Sequence, residues 1–436
     1  IRTGLLNPAA AYNATTNYGV GAFIYRSANG TGTFTASNVE LRWNHGTQGL
    51  GFGSPVEVCA FAHEMVYVTA GSFRIGDGQS NSDNGGFHAG PNTNSTYLVS
   101  SEAAITIGTA TGNLYYQDAS SNGSGDQLGP VPAAFPKGTT AFYCMKYELT
   151  QSDIAEFLNR LTRQQQDAHV LTNLAPGVTT VTNRFVMTNG TIVYARNGIR
   201  CAATIPSDDP VNFYCDQNAN GVANEIADGQ WIPCNYMMWA TLAAYLDWSG
   251  LRPLSELEYE KVCRGPQVPV LNEYAWGTAA IAGAQYTLAN GGRNNEQIAT
   301  NFATAVGNAA HDNTMTGNPA INGPMRVGIF AGHMLNVGRA TAGAGYYGAL
   351  ELSGNLVEYA IPIGSPNGRA YTGAHGDGSL NAQGMHNAPS WLTWGHRGGD
   401  WASFYGDVQV SRRTFATFPF TAYTPHPGGR GVRTMP

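Results

Sequence analysis

Along the first part of the chain, apolar and polar residues alternate in short bursts. GVGAFIYRS and GTFTASNVELRW set aromatic and β-branched residues between Gly and Asn turns, which predicts short strands. Residues 1–58 therefore read as an N-terminal β-rich segment, part of a β-sandwich. HEMVYVTAGSFRIGDG (63–78) predicts another strand and turn. The Gly-, Asn- and Ser-rich stretch near 79–130 reads as an insertion or extended arm. At 143–166 the period lengthens to that of a helix, with Ile154, Phe157, Leu158 and Leu161 on one face and Thr150 or Ser152 available as cap. A second insertion falls near 165–231. IPCNYMMWATLAAYLDWSG (232–250) then predicts a helix that buries Trp239, Leu242, Ala243 and Leu246 and stops at Gly250. LSELEYEKVCRG (254–265) predicts a third, with Ser255 and Glu258 spaced as a capping box. Beyond Gly265 the pattern becomes Gly-rich and loop-heavy.

Composition narrows the class. With 436 residues, 42% of them hydrophobic, the chain can bury a sizeable core in one to three domains. Charged residues make up only 12%, about half the roughly 25% of an average soluble protein. A net charge of −6 without any basic run excludes nucleic acid and anionic membranes as partners. No apolar stretch reaches the roughly 20 residues of a membrane span. Neutral polar loops on a β-rich body suit an extracellular or cell-surface protein, and sequons at Asn13, Asn29, Asn94, Asn122 and Asn189 agree with that. Cys59, Cys144, Cys201, Cys215, Cys234 and Cys263 show no CxxC spacing. Cys215 and Cys234 bracket a polar loop that a disulfide would staple, although two buried thiols satisfy the same sequence.

Several segments, in order, resemble the formylglycine-generating enzyme or sulfatase-modifying-factor family. They are MVYVTAGSFRIGDG, YELTQSDIAEFLN, GLRPLSELEYEKVCRG, YAWG, ELSGNLVEYA, RGGDW and GGRGVR, and the likeness runs from about Glu64 to Pro436. It implies an α+β fold, a loop-rich variant of the C-type lectin fold, for residues 59–436. Enzymes of the family bind Cu(I) with two cysteines. The matching positions here are Ser403 and Val408, and no cysteine follows Cys263. Soft Cu(I) needs thiolates, so no copper is expected. Asp400 replaces the serine of the family motif, and Val357 replaces a tryptophan. The resemblance therefore implies a member that is no longer an enzyme.

Other residues are candidates for binding. The resemblance assigns Asn355 and Glu358 to one calcium site and Asn301 to another, although a buried Glu358 paired with an arginine, or a turn-capping Asn301, would serve equally. Asp216, Asn218, Asn220 and Asn224 lie around Gly221 at EF-hand-like spacing, but Ala227 occupies the position of the bidentate carboxylate. Glu225 or Asp228 would have to substitute, and a polar turn remains the plainer alternative. Trp391, Trp394, Trp401, Phe404, Tyr405, Phe415, Phe418, Phe420 and Tyr423 lie among Gly, Ser and Thr, as in a contact surface or a loop-rich core. The functional expectation is a secreted structural or surface-assembly protein, such as a filament, sheath or coat subunit, whose partners are copies of itself. A lectin-like protein that binds a cell-surface or glycan ligand is the alternative, and an active oxidase a distant third.

Overall fold

The protein is seen in a computed structural model, which describes residues 2–5, 22–25, 35, 37–38, 49, 51–55, 60–78, 85–92, 94–117, 123–312, 321–418 and 422–435. In the N-terminal segment β1 (Arg2–Leu5) pairs antiparallel with β2 (Ala22–Tyr25). The strand expected at 32–43, and most of the sandwich it would belong to, lie outside the described residues.

The chain continues through β3 (Met65–Val68), β4 (Phe73–Ile75), β5 (Phe87–Ala89), β6 (Tyr97–Val99), β7 (Leu114–Tyr116) and β8 (Phe142–Met145). Then come α1 (Gln151–Leu158), α2 (Arg163–His169), β9 (Ile199–Arg200), β10 (Tyr214–Cys215), α3 (Trp239–Trp248), β11 (Arg252–Pro253) and α4 (Glu256–Arg264). The C-terminal part holds β12 (Thr287–Ala289), β13 (Gln297–Thr300), β14 (Val357–Ala360), α5 (Pro366–Arg369), β15 (Gly395–Arg397), β16 (Pro427–Gly428) and β17 (Gly431–Thr434). Short strands, few helices and long connections make this a loop-rich α+β fold.

A central antiparallel sheet has the order β11-β17-β8-β3, so the last strand lies in its interior. Val432 and Val66 both pair with Cys144, and α4 covers the sheet with Tyr259, Val262 and Cys263. A second sheet, β15-β14-β16, carries the loops of interest. α3 and α1 share the largest apolar cluster, where Phe157 meets Tyr245 edge-on at 5.4 Å.

Two expectations about the chain are corrected. The stretch expected as one helix up to 166 is two helices, each with its own capping box: Thr150 with Asp153, and Thr162 with Gln165. The second cap turns the chain at Thr162 because it satisfies a new set of helix-end N–H groups. The stretch near 79–130 is no free arm where it is described. β4 pairs with β6 and β5 with β7, and Phe87, Val99, Ile105, Leu114 and Tyr116 are buried in the main core. Its apolar residues recur at strand spacing and find a cationic partner in Arg413, whose guanidinium lies 3.9 Å from the Phe87 ring centre and 4.5 Å from that of Tyr116.

Candidate functional site

All nine residues of α4 are buried, including Glu256, Glu258, Glu260, Lys261 and Arg264. Buried charges are costly unless paired, and here the partners come from far along the chain. Arg397 reaches Glu256 at 3.1 Å and Glu260 at 2.7 Å. Arg413 donates twice to Glu256, at 2.7 and 3.0 Å. Arg264 contacts Glu260 and Glu273, and it donates to Ser411 Oγ at 2.5 Å. Burial pushes the Glu260 carboxyl up, but Arg264 and Arg397 outweigh it and hold the group below its usual range. These bonds clamp residues 397–413 at both ends.

Within the clamp the chain turns on Gly398 and Gly399, at φ 85° and 61°. A Cβ on Gly399 would stand 2.6 Å from Val408 Cγ1, so the turn also needs the missing side chain. Asp400 Oδ1 accepts from the N–H groups of Ala402 and Ser403, at 2.7 and 2.9 Å, and from Ser403 Oγ at 3.1 Å. Its Oδ2 lies 2.8 Å from His426 Nδ1, and this hydrogen bond raises the His426 imidazole above its ordinary value. Asp400 stands between Ser403 and His426. In a nucleophilic triad the histidine occupies the middle place, so this arrangement is not that triad. Val408 is fully buried against Tyr274, Trp276 and Ala309. The two positions that the resemblance marks for copper thiolates thus present a hydrogen-bonded hydroxyl and a packed isopropyl group. These residues do not fit Cu(I).

A second polar cluster lies under β14. Asn355, at φ 67°, accepts from Met325 N at 2.9 Å through Oδ1 and donates to Glu148 Oε2 at 2.7 Å. Glu358 is bound by Arg430, with Nε at 2.8 and 2.9 Å from its two oxygens. Glu351 Oε1 accepts from Gly328 N at 2.8 Å, while its buried Oε2 has no hydrogen-bond partner among the described residues. Burial pushes Glu351 up to about 7 against the pull of Arg430, and it raises Glu148 and Glu358 as well. The acceptors of Asn355 and Glu358 therefore already carry protein donors. Glu148, Glu351 and Arg430 were not singled out by sequence reasoning, although each falls inside or beside a quoted motif.

The remaining candidates sit apart. Asn301, at φ 66°, follows β13 and donates to Gln285 O, across the open end of the β12-β13 hairpin. Asp216 is paired with buried Arg200 and accepts from Gly221 N. Asn218, Asn220 and Asn224 accept from the N–H groups of Asn220, Val222 and Cys215 at 2.9, 2.8 and 3.0 Å. The 216–228 loop thus closes on itself through side-chain-to-backbone bonds. Among the described residues no group of three or more His, Cys, Asp or Glu is arranged to hold a metal ion. Cys215 and Cys234 are separate buried thiols, so the expected bridge is not formed. Burial pushes both thiols up.

The aromatic set divides. Trp391 is buried and donates to Ala374 O at 3.2 Å, Trp394 stacks on Trp239 at 5.2 Å, Trp401 is buried, and Tyr423 packs against the core. Trp391 and Trp401 are thus corrected from surface to interior, because indole rings fill space that short strands leave open, while Trp394 and Tyr423 are partly buried against the core. Phe404 and Tyr405 are exposed, by 69% and 59%, as are Phe415 and Phe418. Phe420 lies outside the described residues.

Known proteins bear on this arrangement. A solved structure described as PvdO from Pseudomonas aeruginosa is 17% identical over 86% of this chain and 96% of its own, with a TM-score of 0.35. No curated protein matches the chain. The profile of the sulfatase-modifying factor enzyme 1-like domain matches residues 53–433, and the chain belongs to that family.

Proposed function

We propose that the chain is a non-catalytic assembly subunit acting outside the cell, built on the scaffold of its family and joined to copies of itself. The observation that carries this reading is the state of the 397–413 loop. Its two family metal positions are a packed Val408 and a hydrogen-bonded Ser403, while its tip turns Phe404 and Tyr405 to solvent. Exposed aromatic residues beside a polar rim suit a protein contact. With 12% charged residues, repulsion between copies is weak.

Light scattering and electron microscopy of the native protein test the assembly. Particles larger than one chain are expected, and Phe404→Ser with Tyr405→Ser should shift them toward monomers. A native protein that stays monomeric at high concentration overturns the reading. The loss of chemistry has its own assay: a sulfatase peptide incubated with the protein and Cu(I) should show no turnover above a no-protein control.

A further inference from the structure

Away from the clamped loop, Asn183, residues 188–192, Tyr194 and Tyr236 line an open depression of about 430 Å³, inside the roughly 300–1,000 Å³ range of small-molecule sites. Two tyrosines form its apolar part. Tyr236 is buried, and Tyr194, 56% exposed, meets it edge-on with ring centres 6.4 Å apart. An amide pair forms its polar part. Asn183 Nδ2 donates to Asn189 Oδ1 at 3.0 Å, and Thr172 Oγ1 donates to the Asn183 backbone carbonyl at 2.8 Å. The side-chain amides of Asn183 and Asn189 thus lie at the depression beside the exposed Thr191. No charged side chain lines the depression.

The walls are held in place by constrained backbone. Asn189, Ala195, Arg196 and Tyr236 all adopt left-handed φ values, of 50°, 45°, 62° and 56°. Such positions persist only where surrounding contacts enforce them, and they gather at binding sites. Here Arg196 is fixed by Glu296 and by Pro324 O at 2.6 Å, and Asn235 Nδ2 donates to Ala195 O at 2.8 Å. The depression is thus preformed rather than a gap between mobile loops.

We propose that this depression binds a neutral saccharide. An exposed tyrosine face receives the C–H face of a pyranose, and paired amide groups match the alternating donors and acceptors of vicinal hydroxyls. The absence of charge selects against sugar acids and phosphates. The site is independent of self-assembly and lies in a different part of the surface from Phe404 and Tyr405.

Saturation-transfer NMR and calorimetry with cellotriose, maltotriose, mannotriose and chitotriose test it, on protein whose Asn189 is shown by mass to be unmodified. At least one trisaccharide should bind with transfer to its ring protons. Tyr194→Ala should weaken that binding about threefold to tenfold with an unchanged melting temperature, and Tyr194→Phe should restore most of it. Binding of none of the four, equal binding to Tyr194→Ala, or a glycan already attached at Asn189 and filling the depression would each overturn the proposal.

Discussion

Two buried charge clusters hold the C-terminal half together, and they are balanced differently. Around α4, Arg264, Arg397 and Arg413 meet Glu256, Glu260 and Glu273, with each arginine bound to at least one of the carboxylates. Under β14, Glu148, Glu351 and Glu358 share the guanidinium of Arg430, which hydrogen-bonds only Glu358 of the three, and Arg326 also acts on Glu351. The first cluster keeps Glu260 ionised at every ordinary pH. In the second, burial raises all three carboxyls and so favours their neutral form, whereas in the first Glu273 is raised but Glu260 is lowered. The second cluster therefore depends more on pH than the first.

Removing one arginine from each cluster breaks the comparison most severely. Arg397→Met leaves Glu256 and Glu260 short of a partner and should cost about 3–5 kcal/mol, with little change between pH 5 and pH 8. Arg430→Met should cost less at pH 5, where the glutamates take up protons, than at pH 8. Urea unfolding of both variants at both pH values is the measurement, and an equal pH dependence would erase the distinction.

Next in size is the pH profile of the unaltered chain. Glu351 has a folded pKa raised to about 7 from 4.5, so its contribution is fully present below 4.5 and is lost as pH rises through 7. The loss should approach about 3 kcal/mol, and Glu351→Gln should flatten the profile. A profile that stays as steep in that variant would assign the effect elsewhere.

His426 gives a smaller effect of the same sign. Its raised pKa means that the contact with Asp400 stabilises below 6.5 and fades as pH rises through the folded value. The side chain is partly exposed, so solvent screening keeps the effect under about 1 kcal/mol in His426→Ala. The smallest expected change comes from chelation. With Glu358 bound by Arg430 and Asn355 by Met325 N, EGTA should leave the melting temperature unchanged. A fall on chelation would show that a cation balances the three glutamates instead.

These clusters also mark what the sequence discloses. The cap of α4 is local, and the Ser255 and Glu258 spacing announces it. The break between α1 and α2 is local too, and Thr162 with Gln165 was the signal that a count of apolar positions passed over. The burial of α4 is not legible. Five of its nine residues carry charge, a pattern that ordinarily means a solvated face, and two of the arginines that neutralise them lie more than a hundred positions later. The candidate site follows the same rule. Asp400, Ser403 and Val408 could be placed by motif, whereas the burial of Trp391 and Trp401 and the stacking of Trp394 on Trp239 depend on partners that no spacing reveals.

The place of β17 between β11 and β8 sets the order in which the molecule can be completed. β3 covers one edge of β8, and the other edge is open until residues 431–434 pair with it. Arg430, which neutralises Glu358, arrives at the same moment. One segment, residues 430–434, therefore both closes the open edge of β8 and neutralises Glu358, so strand pairing and charge pairing are completed together.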